Sequence, residues 1–389
     1  MTGRSDPRHL QIQLVTIAPG DELYTWWGHS AIVVTDTRLG ESRFYNYGLF
    51  SFETEDFFSN FAMGRLWFEV GDMPTMAALH AYRQRNRSII IQTLNIPPEK
   101  KAEISRFVEI NILPENRRYL YDHYYDNCST RIRDILNMAS NGALYKSTDV
   151  LTDTTFRRIT RRFSGRHFFA DTLLMFLMGQ SIDERITVWE TMFLPTELSK
   201  AIDTLMIETP EGEINPFVAE RVVWNRATGR KPIPKTAGSA VPLALSCGGG
   251  VFLFIALIWY VVRRKPTVRR IIFGIVSCVA GFFIGLPGII LLFMSLFTDH
   301  TVTYWNENLF LANPLTFVAF PLGIFTAAGF QRIGNITAWL WILLAAVGVI
   351  YIALKPFPFL TQNNWQIIAL IMPILSALAL TGRQQLTSI

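Results

Sequence analysis

The sequence predicts an α+β domain followed by an all-α membrane bundle of about five spans. Short segments in the N-terminal part alternate apolar and polar residues as β-strands do, and others repeat apolar residues at helical spacing. Charged residues are frequent there, whereas only ten lie from Gly238 onward. The C-terminal part instead contains apolar runs that are long enough to cross a bilayer. These three observations predict an α+β fold for the N-terminal part and a helical membrane fold for the C-terminal part.

Residues 10–150 are predicted to form the α+β core, because strands and helices are mixed along them. Residues 11–17 alternate as a first strand, and residues 26–34 form a second strand that contains His29. Three further strands are predicted at residues 43–48, 65–70 and 89–94. Helices are predicted at residues 75–85, from Pro97 towards Asn111, and from Cys128 onward.

Residues 151–226 are predicted to form a helical subdomain that packs on this core. The apolar run at residues 173–178 is far too short to span a bilayer. Residues 227–240 are rich in Pro, Gly and Lys and are predicted to be a linker.

Residues 241–389 are predicted to form a transmembrane helical domain. Its apolar runs of spanning length are residues 241–262, 271–297, 314–330, 336–354 and 365–381. The loop at residues 263–270 holds five bases, which places it in the cytoplasm. Counting the spans in both directions from that loop places residues 1–240 outside the cytoplasm. Lys355 is the only base in a loop that this topology also places outside.

The net charge of +5 comes from the bases that flank the predicted spans. The residues before Gly238 carry a net charge of −1, so a nucleic-acid partner is not indicated. Residues 1–10 lack the apolar segment of a signal peptide, although a domain outside the cytoplasm needs an export signal. We therefore expect the sequence to represent a mature or trimmed form.

Cys128 is the candidate nucleophile. It is the only cysteine outside the apolar C-terminal part, and apolar residues after it recur at helical spacing. Asn127 or Ser129 is a suitable helix cap, which places Cys128 in the first turn, where the helix dipole favours the reactive thiolate. The alternative is a buried structural cysteine, but the polar and charged neighbours of Cys128 argue against an apolar pocket.

A cysteine nucleophile needs a base, and His29 is the best candidate among six histidines. It begins a strand between Gly28 and Ser30, whereas His123 lies too close in sequence to Cys128 to reach it easily across a helix start. Asn46 or Tyr47 on the next strand is suited to orient the imidazole. The alternative is that His29 is a hydrogen-bonded core residue. No paired spacing of ligand residues supports a metal, and no cofactor is expected.

The order of these residues resembles that of circularly permuted NlpC/P60-like cysteine enzymes, which have a papain-like fold. More closely, the chain resembles the Lnb family of bacterial lipoprotein N-acyltransferases. The motifs that carry this resemblance are Trp27-Gly28-His29-Ser30, Tyr45-Asn46-Tyr47-Gly48, Asp126-Asn127-Cys128 and Phe193-Leu194-Pro195. In the membrane part they are His300, Asn306-Glu307-Asn308-Leu309 and Asn313-Pro314-Leu315. The resemblance covers nearly the whole chain.

The resemblance implies an inner-membrane enzyme with its catalytic domain on the periplasmic side. Its donor would be a phospholipid, its acceptor the N-terminal amine of a diacylated lipoprotein, and its intermediate a Cys128 thioester formed with His29 as base. Asn46 would complete the catalytic group, and the Cys128 N–H with the Asn127 side chain would stabilise the oxyanion.

Six other residues are candidates for binding substrate. Arg65, Arg131 and Arg133 are suited to hold the lipid phosphate, although exposed arginines are usually only solvated. His300 would deprotonate the amine or hold a headgroup, or else lie among interfacial aromatic residues. Tyr47 and Asn306 complete this set.

Two other functions remain open from sequence. A cell-wall peptidase or amidase would use the same cysteine and histidine but needs only one membrane anchor. A non-catalytic scaffold would tolerate the loss of both residues.

Overall fold

The computed structural model describes residues 5–50, 56–208 and 212–387, which pack into two compact units. The first, called here the sheet domain, comprises Met1–Phe156 and Arg185–Pro234. The second, the membrane domain, comprises Arg157–Glu184 and Lys235–Ile389. The sheet domain mixes strands and helices and the membrane domain is helical, which confirms the predicted fold class.

A seven-stranded antiparallel sheet forms the centre of the sheet domain, with strand order β11-β5-β1-β2-β3-β4-β6. Its strands are β1 (Leu10–Ile17), β2 (His29–Asp36), β3 (Glu41–Leu49), β4 (Trp67–Pro74), β5 (Ile89–Leu94), β6 (Arg118–Leu120) and β11 (Val218–Asn225). Two small hairpins pair β7 (Leu151–Thr155) with β8 (Arg185–Thr187) and β9 (Met206–Glu208) with β10 (Ile214–Pro216).

Helices cover both faces of this sheet. They are α1 (Phe57–Ala62), α2 (Thr75–Gln84), α3 (Pro98–Asn111), α4 (Cys128–Ala139), α5 (Ala143–Thr148), α8 (Val188–Thr191) and α9 (Pro195–Asp203). Ile12, Ile32 and Tyr47 belong to a core cluster with residues of α3, α4 and α9. Val33 and Phe44 point the other way and pack with residues of α2, because neighbouring side chains of a strand face opposite sides.

The residues predicted as a helical subdomain, 151–226, are divided between the two units. Arg157–Glu184 belongs to the membrane domain, and it carries most of α6 (Phe156–Ser164) and all of α7 (Phe168–Leu177). The remainder belongs to the sheet domain, where β11 pairs with β5 at the edge of the sheet. Sequence patterning did not indicate β11, since its partner lies more than a hundred residues earlier in the chain.

Four helices in the described part of the membrane domain are long and apolar enough to cross a membrane. They are α10 (Val241–Val262), α11 (Pro266–Phe297), α13 (Gln331–Leu354) and α14 (Trp365–Leu386). The remaining predicted span begins with a 3₁₀ turn, Pro314–Val318, and continues as the ten-residue α12 (Ala319–Ala328). A Cβ built on Gly274 would lie 2.5 Å from the backbone of α12, so small residues allow α11 and α12 to pack closely.

Candidate active site

His29 and Asn46 are brought together by neighbouring antiparallel strands. His29 is the first residue of β2, and β3 runs beside β2 with Asn46 paired to Ala31. The His29 Nε2 atom lies 2.8 Å from Asn46 Oδ1. Because an amide oxygen only accepts, Nε2 carries the proton in this contact and Nδ1 is left as the basic nitrogen.

Gly28 allows the chain to enter β2 at His29. Its φ of +88° lies in the left-handed region, and a Cβ at this position would lie 2.9 Å from the carbonyl oxygen of Ile17. A larger residue would therefore displace the start of the strand that carries His29.

Cys128 is the first residue of α4, and Asn127 is its N-cap. The Asn127 Oδ1 atom accepts from the backbone N–H groups of Ser129 (2.7 Å) and Thr130 (3.0 Å). Its Nδ2 group donates to the backbone oxygens of His123 (2.6 Å) and Phe193 (3.1 Å). Every polar atom of this side chain is thus occupied within the protein. These contacts position Cys128 at the start of α4 and leave the Asn127 side chain no unused donor for an oxyanion, although Asn127 is among the residues that line the cavity at Cys128.

All three predicted catalytic side chains surround Gly48 of β3. A Cβ built on Gly48 would lie 3.3 Å from His29 Cε1, 3.8 Å from Asn46 Oδ1 and 3.8 Å from Cys128 Cβ. The absence of a side chain at Gly48 therefore leaves the space in which the cysteine, the histidine and the amide meet. The hydroxyl of Tyr47 is directed away from His29 and lies 3.4 Å from Asn111 Oδ1, although Tyr47 is also among the residues that line the cavity at Cys128.

Burial determines the charges at this site. It raises the pKa of the Cys128 thiol to about 11, although the backbone N–H groups of Ser30 and Ser129 and the positive charge of Arg87 oppose that shift. Burial, with the nearby Arg87, lowers the pKa of His29 to about 4, against the hydrogen bond that His29 donates to Asn46 Oδ1. Both groups are therefore neutral at pH 7. The expected thiolate is not the resting form, because desolvation outweighs the helix N-terminus.

Alkylation of Cys128 should follow this raised pKa. We expect its rate with iodoacetamide to keep rising towards pH 11, since only the thiolate reacts and burial disfavours it. Peptide mass mapping of the alkylated protein would separate Cys128 from Cys247 and Cys278. A rate that is already constant below pH 7 would instead show a preformed thiolate–imidazolium pair and contradict this prediction.

A cavity of about 490 Å³ opens onto Cys128 and His29. Most of the side chains that line it are apolar or aromatic, including Leu23, Trp27, Phe50, Phe57, Phe61, Leu66, Phe68 and Phe193. No aspartate or glutamate is among its described lining residues. Such a wall is suited to the hydrocarbon part of a ligand, with the ester or amide group held at the cysteine.

Sequence reasoning missed three residues at this site. The backbone N–H of Ser30 lowers the pKa of the Cys128 thiol against the effect of burial, and Arg87 lines the cavity. His123 also lines it, burial lowers its pKa to about 4, and its Nε2 has no hydrogen-bond partner among the described residues. His123 was set aside because it precedes Cys128 so closely; the chain reverses direction between them, at an isolated bridge that pairs Asp122 with Asp126.

The predicted phosphate-binding arginines lie outside this cavity. Arg131 makes two hydrogen bonds to Asp126, of 2.6 and 2.8 Å, and stacks over the Tyr119 ring at 3.8 Å. Arg133 hydrogen-bonds Asp134 and stacks over Trp189. Arg65 lines a separate depression beside α1. For Arg131 and Arg133, these contacts support structural roles rather than substrate binding.

His300 and Asn306 belong to the membrane domain. His300 caps a 3₁₀ turn, Thr301–Thr303, and its backbone oxygen accepts from the Thr303 hydroxyl. Asn306 is buried, and its Nδ2 donates to the backbone oxygens of Phe176 and Leu177 at 3.0 and 2.9 Å. Its Oδ1 accepts from the Asn308 N–H. The side chain of Asn306 therefore anchors α7, and the prediction that it binds substrate is not supported.

The cap of α4 should contribute measurably to stability. We expect Asn127→Ala to lower the free energy of unfolding by about 2–4 kcal/mol, because it removes the cap and leaves two buried carbonyl groups unpaired. Thermal unfolding of the purified protein would measure the change. Unchanged stability in the alanine variant would contradict the structural role.

The described residues contain no group of His, Cys, Asp and Glu side chains that is placed to hold a metal ion. The chemistry that the site offers is that of a thiol beside an imidazole. The backbone N–H groups of Ser30, Ser129 and Cys128 oppose the effect of burial on the pKa of the Cys128 thiol, so they favour negative charge at this place.

Comparison with known protein families agrees with the architecture. Residues 1–162 match the Lnb N-terminal periplasmic domain, and residues 240–386 match the Lnb transmembrane domain. No curated protein and no solved structure gives a significant match to the chain. Because the two models together cover most of the sequence, the chain belongs to the Lnb family. This family consists of membrane proteins with a periplasmic domain and a role in lipoprotein maturation.

Proposed function

We propose that this protein is a lipoprotein N-acyltransferase of the bacterial inner membrane. It would move an acyl chain from a phospholipid to the N-terminal amine of a diacylated lipoprotein through a thioester on Cys128. The observation that carries the proposal is the meeting of Cys128, His29 and Asn46 around Gly48, at the edge of an apolar cavity. Membership of the Lnb family supports the lipoprotein as acceptor.

The first half-reaction transfers the acyl chain to the enzyme. The Cys128 sulfur attacks the ester carbonyl carbon while its proton passes to Nδ1 of His29. The N–H groups of Ser30 and Cys128 stabilise the oxyanion. The carbon–oxygen bond then breaks, His29 returns the proton to the leaving lysolipid oxygen, and the thioester remains.

The second half-reaction transfers the acyl chain to the lipoprotein. The neutral α-amine attacks the thioester carbonyl, and the carbon–sulfur bond breaks as the amide forms. His29 takes the proton that the amine loses and returns it to the Cys128 sulfur. Two substrates that react in turn at one cysteine give ping-pong kinetics.

Intact mass measurement tests the proposal directly. After incubation with phosphatidylethanolamine, the purified protein should gain the mass of one acyl chain, which neutral hydroxylamine removes. A synthetic diacylated lipopeptide should then discharge the adduct and become triacylated. If no adduct forms and the lipopeptide is unchanged, while peptide substrates are cleaved, the protein is a cysteine peptidase or amidase.

A further inference from the structure

We propose that Arg87 binds the phosphate of the acyl donor inside the catalytic cavity. This inference rests on the proposed function and assigns the residue that would select a phospholipid among lipid esters. It follows from the position of Arg87, the contacts that its guanidinium makes and does not make, and the chemistry of the surrounding wall.

Arg87 is held rigidly between α2 and β5. Its side chain is only 3 % exposed, yet it lines the cavity that contains Cys128 and His29. Its Nε donates to the backbone oxygen of Ala18 at 2.6 Å, and its own backbone oxygen accepts from Asn225 Nδ2 at 2.7 Å. The guanidinium is therefore fixed in one orientation before any ligand binds.

The guanidinium nevertheless lacks an anionic partner in the described structure. Its Nη2 group is buried and has no hydrogen-bond partner, and none of the ion pairs among described residues includes Arg87. Asp21, whose pKa responds to Arg87, is already held by two hydrogen bonds from Arg230, each 2.7 Å long. Buried arginines are normally paired, because an unpaired buried charge is costly. This arrangement leaves a place for an anion from outside the chain.

A phosphodiester fits this place better than other anions do. A guanidinium presents parallel N–H donors that match phosphate oxygens, and the aromatic cavity wall suits the glycerol and acyl carbons. In a phospholipid, the phosphate and the reacting ester are attached to the same glycerol. Binding the phosphate at Arg87 would therefore place the ester near Cys128. The exposed Arg85 lines the same cavity and adds a second positive charge.

Paired lipid donors test the role of Arg87. The rate at which Cys128 gains an acyl mass would be measured against the concentration of phosphatidylethanolamine and of diacylglycerol with the same chains. We expect Arg87→Gln to raise the half-saturating phospholipid concentration about 10- to 100-fold. Loss of the Arg87 charge also acts on Cys128 and His29, and that effect falls equally on both donors. The half-saturating concentration of diacylglycerol should therefore change at least about tenfold less than that of phosphatidylethanolamine, since diacylglycerol carries no phosphate for a charge-assisted bond. The half-saturating phospholipid concentration of Arg87→Lys should lie between those of the unaltered protein and Arg87→Gln. Arg83→Gln is the charge-matched control, because Arg83 is exposed and lies outside the cavity.

Three results would overturn the assignment. Equal losses with both donors would show that Arg87 acts on the Cys128 sulfur or on the fold, and an unchanged phospholipid reaction would show that the phosphate is bound elsewhere. If the glutamine variant does not fold, a lysine variant that keeps full phospholipid affinity together with full activity would also contradict a bidentate contact.

Failure of the proposed function would be seen separately. If the unaltered protein forms no adduct with any donor, binding of an ether-linked phosphatidylethanolamine to Cys128→Ala still reports on the phosphate site. Titration calorimetry in maltoside micelles should then show binding that Arg87→Gln removes. No difference between the two proteins would rule out the phosphate site independently of the reaction.

Discussion

Cys128→Ala is expected to lower the rate of acyl transfer by about 10⁴- to 10⁶-fold, because it removes the proposed nucleophile. No acyl adduct should form on the variant at any phospholipid concentration. Lipopeptide acylation followed by mass spectrometry would measure both effects. Cys128 begins α4 but its sulfur makes no structural bond to another cysteine, so the alanine variant should fold normally.

Cys247→Ala is the matched control for this experiment. Cys247 is an exposed cysteine of α10 in the membrane domain, and its loss should leave both the adduct and the overall rate unchanged. Transfer that persists in Cys128→Ala, or that is lost equally in Cys247→Ala, would show that the acyl chain does not pass through Cys128.

His29→Ala is expected to lower acylation of Cys128 by about 10²- to 10⁴-fold, because the thiol then has no base for its proton. The raised pKa of Cys128 makes this dependence strong, since little thiolate exists at neutral pH without proton transfer. His80→Ala is the control, because His80 lies exposed on α2 and does not line the cavity. A loss below tenfold in His29→Ala would argue for another base, and His123 would be the next residue to replace.

The pH dependence of Cys128 acylation is a second test of His29 as the base. His29 is a base only when neutral, and burial lowers its pKa to about 4. Acylation by the unaltered protein should therefore fall as the pH decreases through about 4, and not through the usual histidine range near pH 6.5. A midpoint near 6.5 would mean that His29 is more solvated during the reaction than in the structure.

Much of the architecture was predictable because its signals are local. The strand of His29, the strand of Asn46 and the helix that begins at Cys128 all lie where periodicity and capping chemistry placed them. The change to a membrane domain was equally clear from apolar length alone. The edge strand β11 was not predictable, since it depends on pairing with β5, which is distant in sequence.

The sequence by itself determined the types and order of the elements, the membrane domain, and the residues that could act as nucleophile and base. These follow from side-chain periodicity, apolar length and capping preferences, which act within a few residues of one another. The tertiary structure alone decided that Asn46 rather than Tyr47 contacts His29, and that Asn127 is occupied by capping. It also decided that Arg87 is buried without an anionic partner and that Cys128 rests as a thiol. These features could not be predicted from sequence, because hydrogen-bond occupancy and desolvation both depend on atoms that distant segments bring to the same place.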